Sequence, residues 1–162
     1  ALKRAPDFTG AKVMVLGDPH MRGAAKKMGL DLTQEDADVI VLLRDRRFTY
    51  RRLERAVNSL TRGAHLIVAN PDSTGLKPET GALLAAIRAC VELDETKWDI
   101  VGKPSPHLFR MGCQALDLSP DQLVMLGDNP ATDLAGAKAL GIKAILTSAK
   151  SPDVFETLLR AR

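Results

Sequence analysis

Short apolar runs alternate with stretches of helical spacing along almost the whole chain, and this alternation restricts the fold more than any other property. Lys12–Leu16, Asp38–Leu43, His65–Ala69, Trp98–Val101, Gln122–Leu126 and Ile142–Leu146 read as strands. Val39–Leu43 is uninterruptedly apolar, as expected of a strand buried on both faces. Between these runs, Met21–Met28 reads as a helix closed by Gly29. Thr49 caps a second helix with Leu53, Ala56, Val57 and Leu60 at helical spacing, stopped by Gly63. Glu79 or Thr80 opens a third, running through Leu83, Leu84, Ile87, Cys90 and Val91. A fourth starts at Pro104-Ser105-Pro106 and runs to about Leu116, a fifth spans Pro130–Leu140, and Ser151 caps a sixth with Pro152 at its first position. Asn70-Pro71-Asp72-Ser73-Thr74-Gly75 is a loop by composition. Strands and helices in this order predict an α/β fold, with a parallel sheet and helices on its faces.

The 162 residues suit one ordinary domain or two small ones. An apolar content of 45% suffices for a core. Aromatic residues make up only 4%, too few for base-stacking platforms, so no nucleic-acid partner is expected. Arg44, Arg46, Arg47, Arg51 and Arg52 form the densest basic cluster. It reads first as a solvated face and second as an anion-attracting rim. Cys90 and Cys113 lie in predicted helices without metal-ligand spacing, and read as buried thiols in a reducing compartment. The sequence carries no charged-then-apolar leader and no run of membrane-spanning length, so a cytoplasmic protein without a membrane partner is expected.

Chemistry concentrates in the second half. Leu123-Val124-Met125-Leu126 ends in Gly127-Asp128, and Asp133 follows in the first turns of the next helix. Lys103 follows a strand in Val101-Gly102-Lys103-Pro104. Ligands of parallel sheets bind beyond the carboxyl ends of the strands, so Lys103, Asp128 and Asp133 are expected at a common rim. A hard cation such as Mg²⁺ takes one or two carboxylates and keeps other positions for water and phosphate oxygens. A lysine beside it would neutralise phosphate charge. Gly17-Asp18 echoes Gly127-Asp128, but no second carboxylate follows it, so Asp18 reads as a turn and helix cap. Asp36-Ala37-Asp38 precedes its strand and lies at the wrong end of a sheet. Asp45 also follows a strand, with Arg47 two residues on.

Gly102-Lys103-Pro104 and Gly127-Asp128 through Asp133, with the stretch from Val101 to Thr147 around them, resemble the third and fourth motifs of the haloacid dehalogenase superfamily of phosphatases. Asp45-Arg46-Arg47-Phe48-Thr49-Tyr50-Arg51-Arg52-Leu53, Arg62-Gly63-Ala64 and Ala69-Asn70-Pro71-Asp72 resemble the cap landmarks of its NagD-like branch, which includes 4-nitrophenylphosphatases. Thr147-Ser148 stands where relatives commonly have Thr-Gly. The resemblance implies a Rossmann-like core, present as its C-terminal half, with an α/β cap domain. The expected division is a cap over residues 1–97 and half-core over 98–162. It further implies a Mg²⁺-dependent phosphomonoester hydrolase working through an aspartyl phosphate. Asp128 would bind the metal, Asp133 the metal shell or Lys103, and Lys103 the nucleophile and phosphate. Asp45, Tyr50, Asn70 and Asp72 fall at cap motifs that bear on structure or substrate selection; Asn70-Pro71-Asp72 also reads as a turn and Tyr50 as a packing residue.

The Asp-x-Asp-Gly nucleophile motif of that family is not found in these residues, so the nucleophile is expected outside them, in a truncated or partly ordered chain. The expected partner is a small phosphorylated metabolite, with homodimer formation through the cap. The alternative is an inactive relative serving as a dimerisation or interaction module. A receiver-like or nucleotide-binding domain fits less well, because the first strand lacks an acidic pair and no Gly-x-Gly-x-x-Gly loop occurs.

Overall fold

A computed structural model describes residues 8–72 and 77–147. The chain divides into two compact units, Ala1–Ile100 and Val101–Arg162. The first unit is built as β1 (Lys12–Leu16), α1 (Pro19–Lys27), β2 (Asp31–Leu32), β3 (Val39–Leu42), α2 (Tyr50–Thr61), β4 (His65–Val68), α3 (Thr80–Arg88) and β5 (Trp98–Ile100). Its strands form one parallel sheet in the order β2-β1-β3-β4-β5. Val13, Met14, Val15 and Leu16 of β1 lie beside Val39, Ile40, Val41 and Leu42 of β3, which in turn lie beside His65, Leu66, Ile67 and Val68 of β4.

The central strands are apolar at almost every position because both sheet faces are covered. Met14, Leu16, Ile40, Leu42, Leu66 and Val68 pack on one face with Ala56 and Leu60 of α2 and Leu84 and Ile87 of α3. Val13, Val15 and Val39 pack on the other with Ala25 of α1. Helix α2 starts where predicted: the Thr49 hydroxyl accepts from the Arg52 N–H, and the chain leaves past Arg62 through Gly63 at φ 97°.

Several expectations need correction. Trp98–Ile100 pairs with Leu66–Val68, so these residues belong to the first sheet and the contact boundary falls after Ile100 instead of after Lys97. Helix α3 ends at Arg88, and Cys90 lies exposed in the turn beyond it. Cys113, in the second unit, is half-buried. Strand β2 was not anticipated, since two residues carry no periodicity. Asp18 sits at the start of α1 but makes no capping bond. Its buried carboxylate instead accepts from the backbone N–H and Nε of Arg46, at 3.0 and 2.8 Å. That backbone N–H, outweighing the cost of burial, holds Asp18 below the usual carboxylate range.

The second unit contains α4 (Pro106–Leu116), a 3₁₀ turn (Pro120–Gln122), β6 (Val124–Gly127), a π-helical turn (Pro130–Leu134), α5 (Ala135–Lys138) and β7 (Lys143–Leu146). β6 and β7 pair in parallel, from Val124 beside Lys143 to Gly127 beside Leu146. Its core is Phe109, Ala137 and Ile142, with Cys113, Leu123, Met125, Leu140 and Ala144 against it. The helix expected over Pro130–Leu140 is therefore two pieces, a widened first turn and a short α-helix. The helix expected from Ser151, and Ser148, lie outside the described residues. Among the described residues, no helix is long and apolar enough to cross a membrane.

Candidate active site

Two local devices bring the second unit's chemical groups together. The first is the turn after β6. Asn129 accepts from the Ala131 N–H with its side chain, and its carbonyl accepts from Asp133 N–H at 2.9 Å and from Leu134 N–H at 3.4 Å. The second of these bonds spans five residues and widens the turn, a geometry that recurs at functional sites. It lays Asp133 against the end of β6. A Cβ on Gly127 would lie 2.3 Å from Asp133 Cβ and 2.6 Å from its Oδ2, so only glycine admits the carboxylate there.

The second device is the Gly-Lys-Pro loop before α4. The Ser105 hydroxyl accepts from the His107 N–H, and Pro106 occupies the first helical position. Phe109 and the Pro104 carbonyl press onto α5 at Gly136, where a Cβ would stand 2.4 Å from the ring and 2.7 Å from the oxygen. With loop and helix this close, Lys103 Nζ reaches Asp133 Oδ1 at 2.6 Å.

Asp133 is 3% exposed. Oδ1 faces the ammonium as an ion pair without the alignment of a hydrogen bond, and Oδ2 accepts from the Asn129 N–H at 3.3 Å. Burial pushes its pKa up. The Lys103 ammonium and the N–H groups of Asn129 and Asp128 more than offset this, so it lies below the ordinary value. Lys103 stays partly open to solvent. Asp128, directly past β6, is exposed, and its carboxylate has no hydrogen-bond or ion-pair partner among the described residues.

The arrangement thus divides the two acids. Asp133 is a buried anchor with both oxygens engaged, and Asp128 is an open carboxylate. Among the described residues no group of three His, Cys, Asp or Glu side chains gathers as a ready-made metal cage. The exposed, unpaired carboxylate of Asp128 is nevertheless the hard oxygen donor that a magnesium ion takes when it draws its remaining ligands from water and phosphate.

The residues expected at cap motifs do not share one environment. Asp45 is buried and bound to Arg52, with its other oxygen accepting from the Arg47 N–H at 3.0 Å. Its visible job is to tie the loop after β3 to α2. Tyr50 is 82% exposed and packs into no core, which overturns the packing reading of it. Asn70 donates to Asp72 Oδ2 at 2.8 Å, and the Asp72 carbonyl accepts from Gly81 N–H at 2.7 Å. These bonds tie Asn70 to Asp72 and Asp72 to the start of α3. Sequence reasoning missed Gly127, Asn129 and Gly136 as determinants of the site; the offset between Gly127 and Asp133 was the available signal for the first.

Residues 100–152 match a family model described as HAD-hyrolase-like. The chain is 29% identical over 139 residues to ribonucleotide monophosphatase NagD of Escherichia coli (strain K12), covering 85% of this chain and 54% of that protein. It is 30% identical over 158 residues to chronophin of Mus musculus, covering 90% and 53%. It thus spans about half the length of the curated relatives it matches. The solved 4-nitrophenylphosphatase of Thermotoga maritima superposes with a TM-score of 0.78 at 28% identity, over 93% of this chain and 59% of that one. NagD from E. coli K-12 superposes with a TM-score of 0.77 at 27% identity, over 91% and 60%. The Gly-Lys-Pro loop and the Gly-Asp turn lie within the matched residues 100–152, and together these likenesses support placing the chain with the haloacid dehalogenase superfamily, alongside NagD-like phosphatases.

Proposed function

We propose that this protein is a small-molecule phosphatase that hydrolyses phosphomonoesters with the help of Mg²⁺. The observation that carries the reading is the ion pair of Lys103 with the buried Asp133, which lies against Gly127, the residue directly before the exposed Asp128. Relatives named as ribonucleotide monophosphatase, dihydroxyacetone phosphatase and 5'-nucleotidase support the reaction class. The first unit would act as the cap that selects the leaving group, and the second as half of the catalytic core.

In this reading Asp133 fixes the Lys103 ammonium, so that its charge is aimed before substrate arrives. A preorganised cation costs no reorganisation during the reaction and stabilises the charge that builds on the phosphoryl oxygens. Asp128 would hold Mg²⁺, which when bound neutralises phosphate charge. The covalent nucleophile is an aspartate contributed from outside these 162 residues. The substrate is a small phosphorylated metabolite.

The protein expressed from its complete reading frame should release phosphate from 4-nitrophenyl phosphate or a nucleoside monophosphate in the presence of Mg²⁺. Asp128→Asn and Lys103→Met should each lower kcat/KM by about 10²-fold or more, the scale of losing one preorganised charge. Absence of phosphate release, or activity indifferent to Asp128→Asn, would refute the proposal.

A further inference from the structure

Strand β2 is too short to cover its neighbour. It pairs with Lys12 and Val13 of β1, and the Thr33 N–H adds one more bond to the Val13 carbonyl. The next carbonyls on that edge of β1 receive arginines in place of a strand. Arg52 Nη2 donates to the Val15 carbonyl at 3.0 Å, and Arg22 Nη1 donates to the Gly17 carbonyl at 2.6 Å. The notch beyond β2 is a cleft of about 400 Å³ lined by Arg22, Arg47, Arg52 and Arg55 together with Thr33 and Gln34.

Its charge is unbalanced. Arg52 is paired with Asp45, and Arg55 with Glu35 at 2.6 Å. Neither Arg22 nor Arg47 has a carboxylate partner among the described residues, and the Arg47 side chain is exposed. Local preferences oppose this arrangement. The first turn of α2 holds no acid and carries Arg51 and Arg52, at the end of a helix where the dipole disfavours cations. Arg52 and Arg55 are like charges three residues apart on one face. Burial, with the Arg22 charge nearby adding to it, lowers the Arg52 pKa despite Asp45. Positive charge concentrated against helix and neighbour preferences is the pattern of a site that has a use for it. Guanidinium groups present planar pairs of N–H donors matched to phosphate oxygens.

We propose that this cleft binds the phosphate group of a small phosphorylated metabolite. The site is made wholly of first-unit residues, whereas Lys103, Asp128 and Asp133 all belong to the second unit. It therefore does not depend on the phosphatase reading, and occupancy of one site can be measured with the other removed.

The test is titration with inorganic phosphate, followed by calorimetry and by amide and arginine Nε chemical shifts. Shifts at Arg22, Arg47, Thr33 and Gln34 are expected, and they should persist in Lys103→Met. Arg47→Gln should weaken that binding about fivefold or more, as should Arg22→Gln. Arg47→Gln removes an exposed side chain without a partner, so its fold is expected to survive even if Arg22→Gln loses the bond to Gly17. Binding should also weaken between low and physiological salt. The proposal is overturned if phosphate shifts only second-unit residues, if the first-unit shifts vanish with Lys103→Met, or if Arg47→Gln leaves them unchanged. An equal response to malonate would overturn the phosphate assignment in favour of a dicarboxylate.

Discussion

Asp133 shows how one buried carboxylate can set a site. Its charge is retained because Lys103 and two backbone N–H groups outweigh desolvation. A depressed folded-state pKa means that the stabilisation is present above the unfolded value near 3.8 and is lost as pH falls through the folded one. Asp133→Asn should therefore cost about 1–2 kcal/mol at pH 7, discounted for the solvent-exposed Lys103. It should also flatten the stability profile below about pH 3.8, as urea titrations at several pH values would show. Gly127→Ala tests the same contact from the strand side. With a Cβ 2.3 Å from that of Asp133, the turn must shift. A loss of about 1–3 kcal/mol is expected, the usual range for overpacking, and an unchanged urea midpoint would contradict the close approach.

At the scale of elements, sheet order decides which strands tolerate change. β3 and β4 are flanked on both sides, and Ile40, Leu42, Leu66 and Val68 are fully buried. Leu66→Ala should cost about 2–5 kcal/mol by lost burial and the cavity left behind, read as a fall in urea midpoint at constant slope. The edge strand β2 works differently. Its shortness leaves the carbonyls of Val15 in β1 and of Gly17 just past it to be satisfied by arginine side chains, so that a sheet edge becomes a charged cleft. The π-helical turn plays the comparable part in the second unit, where one widened turn aims a carboxylate at the strand end it follows.

For the whole molecule, the two units have separate cores. Leu66 packs with first-unit residues, and the cluster of Phe109, Ala137 and Ile142 is drawn from the second. Among the described residues, Leu66 and the second-unit cluster fall in different core clusters. The effects of Leu66→Ala and Gly127→Ala should therefore add to within about 0.5 kcal/mol in the double variant. A larger coupling energy in the double-mutant cycle would show that the two cores stabilise each other.

Alternation of apolar runs and helical spacing determined the α/β class by itself, because buried parallel strands need continuous apolar sequence and crossovers need helices. Lys103 does meet Asp133, but not at the common sheet rim that was expected: β5 and β6 lie in different sheets, and the approach of the Gly-Lys-Pro loop to α5 at Gly136 is what brings the pair together. Thr49 was legible as a cap because capping is local chemistry. Asp18 was not, since the choice between a helix N–H and Arg46 depends on a residue brought in from another loop. The same holds for the exposed Tyr50 and for Trp98–Ile100, which look alike in sequence whichever sheet they join. The arginine-lined notch lay furthest from view. Arg22, Arg47, Arg52 and Arg55 are scattered along the chain, and only the packing of α1, β2 and α2 around the open edge of β1 made them neighbours. Local backbone preferences are written in neighbouring residues, whereas burial and charge pairing are settled by which distant segments the fold presses together.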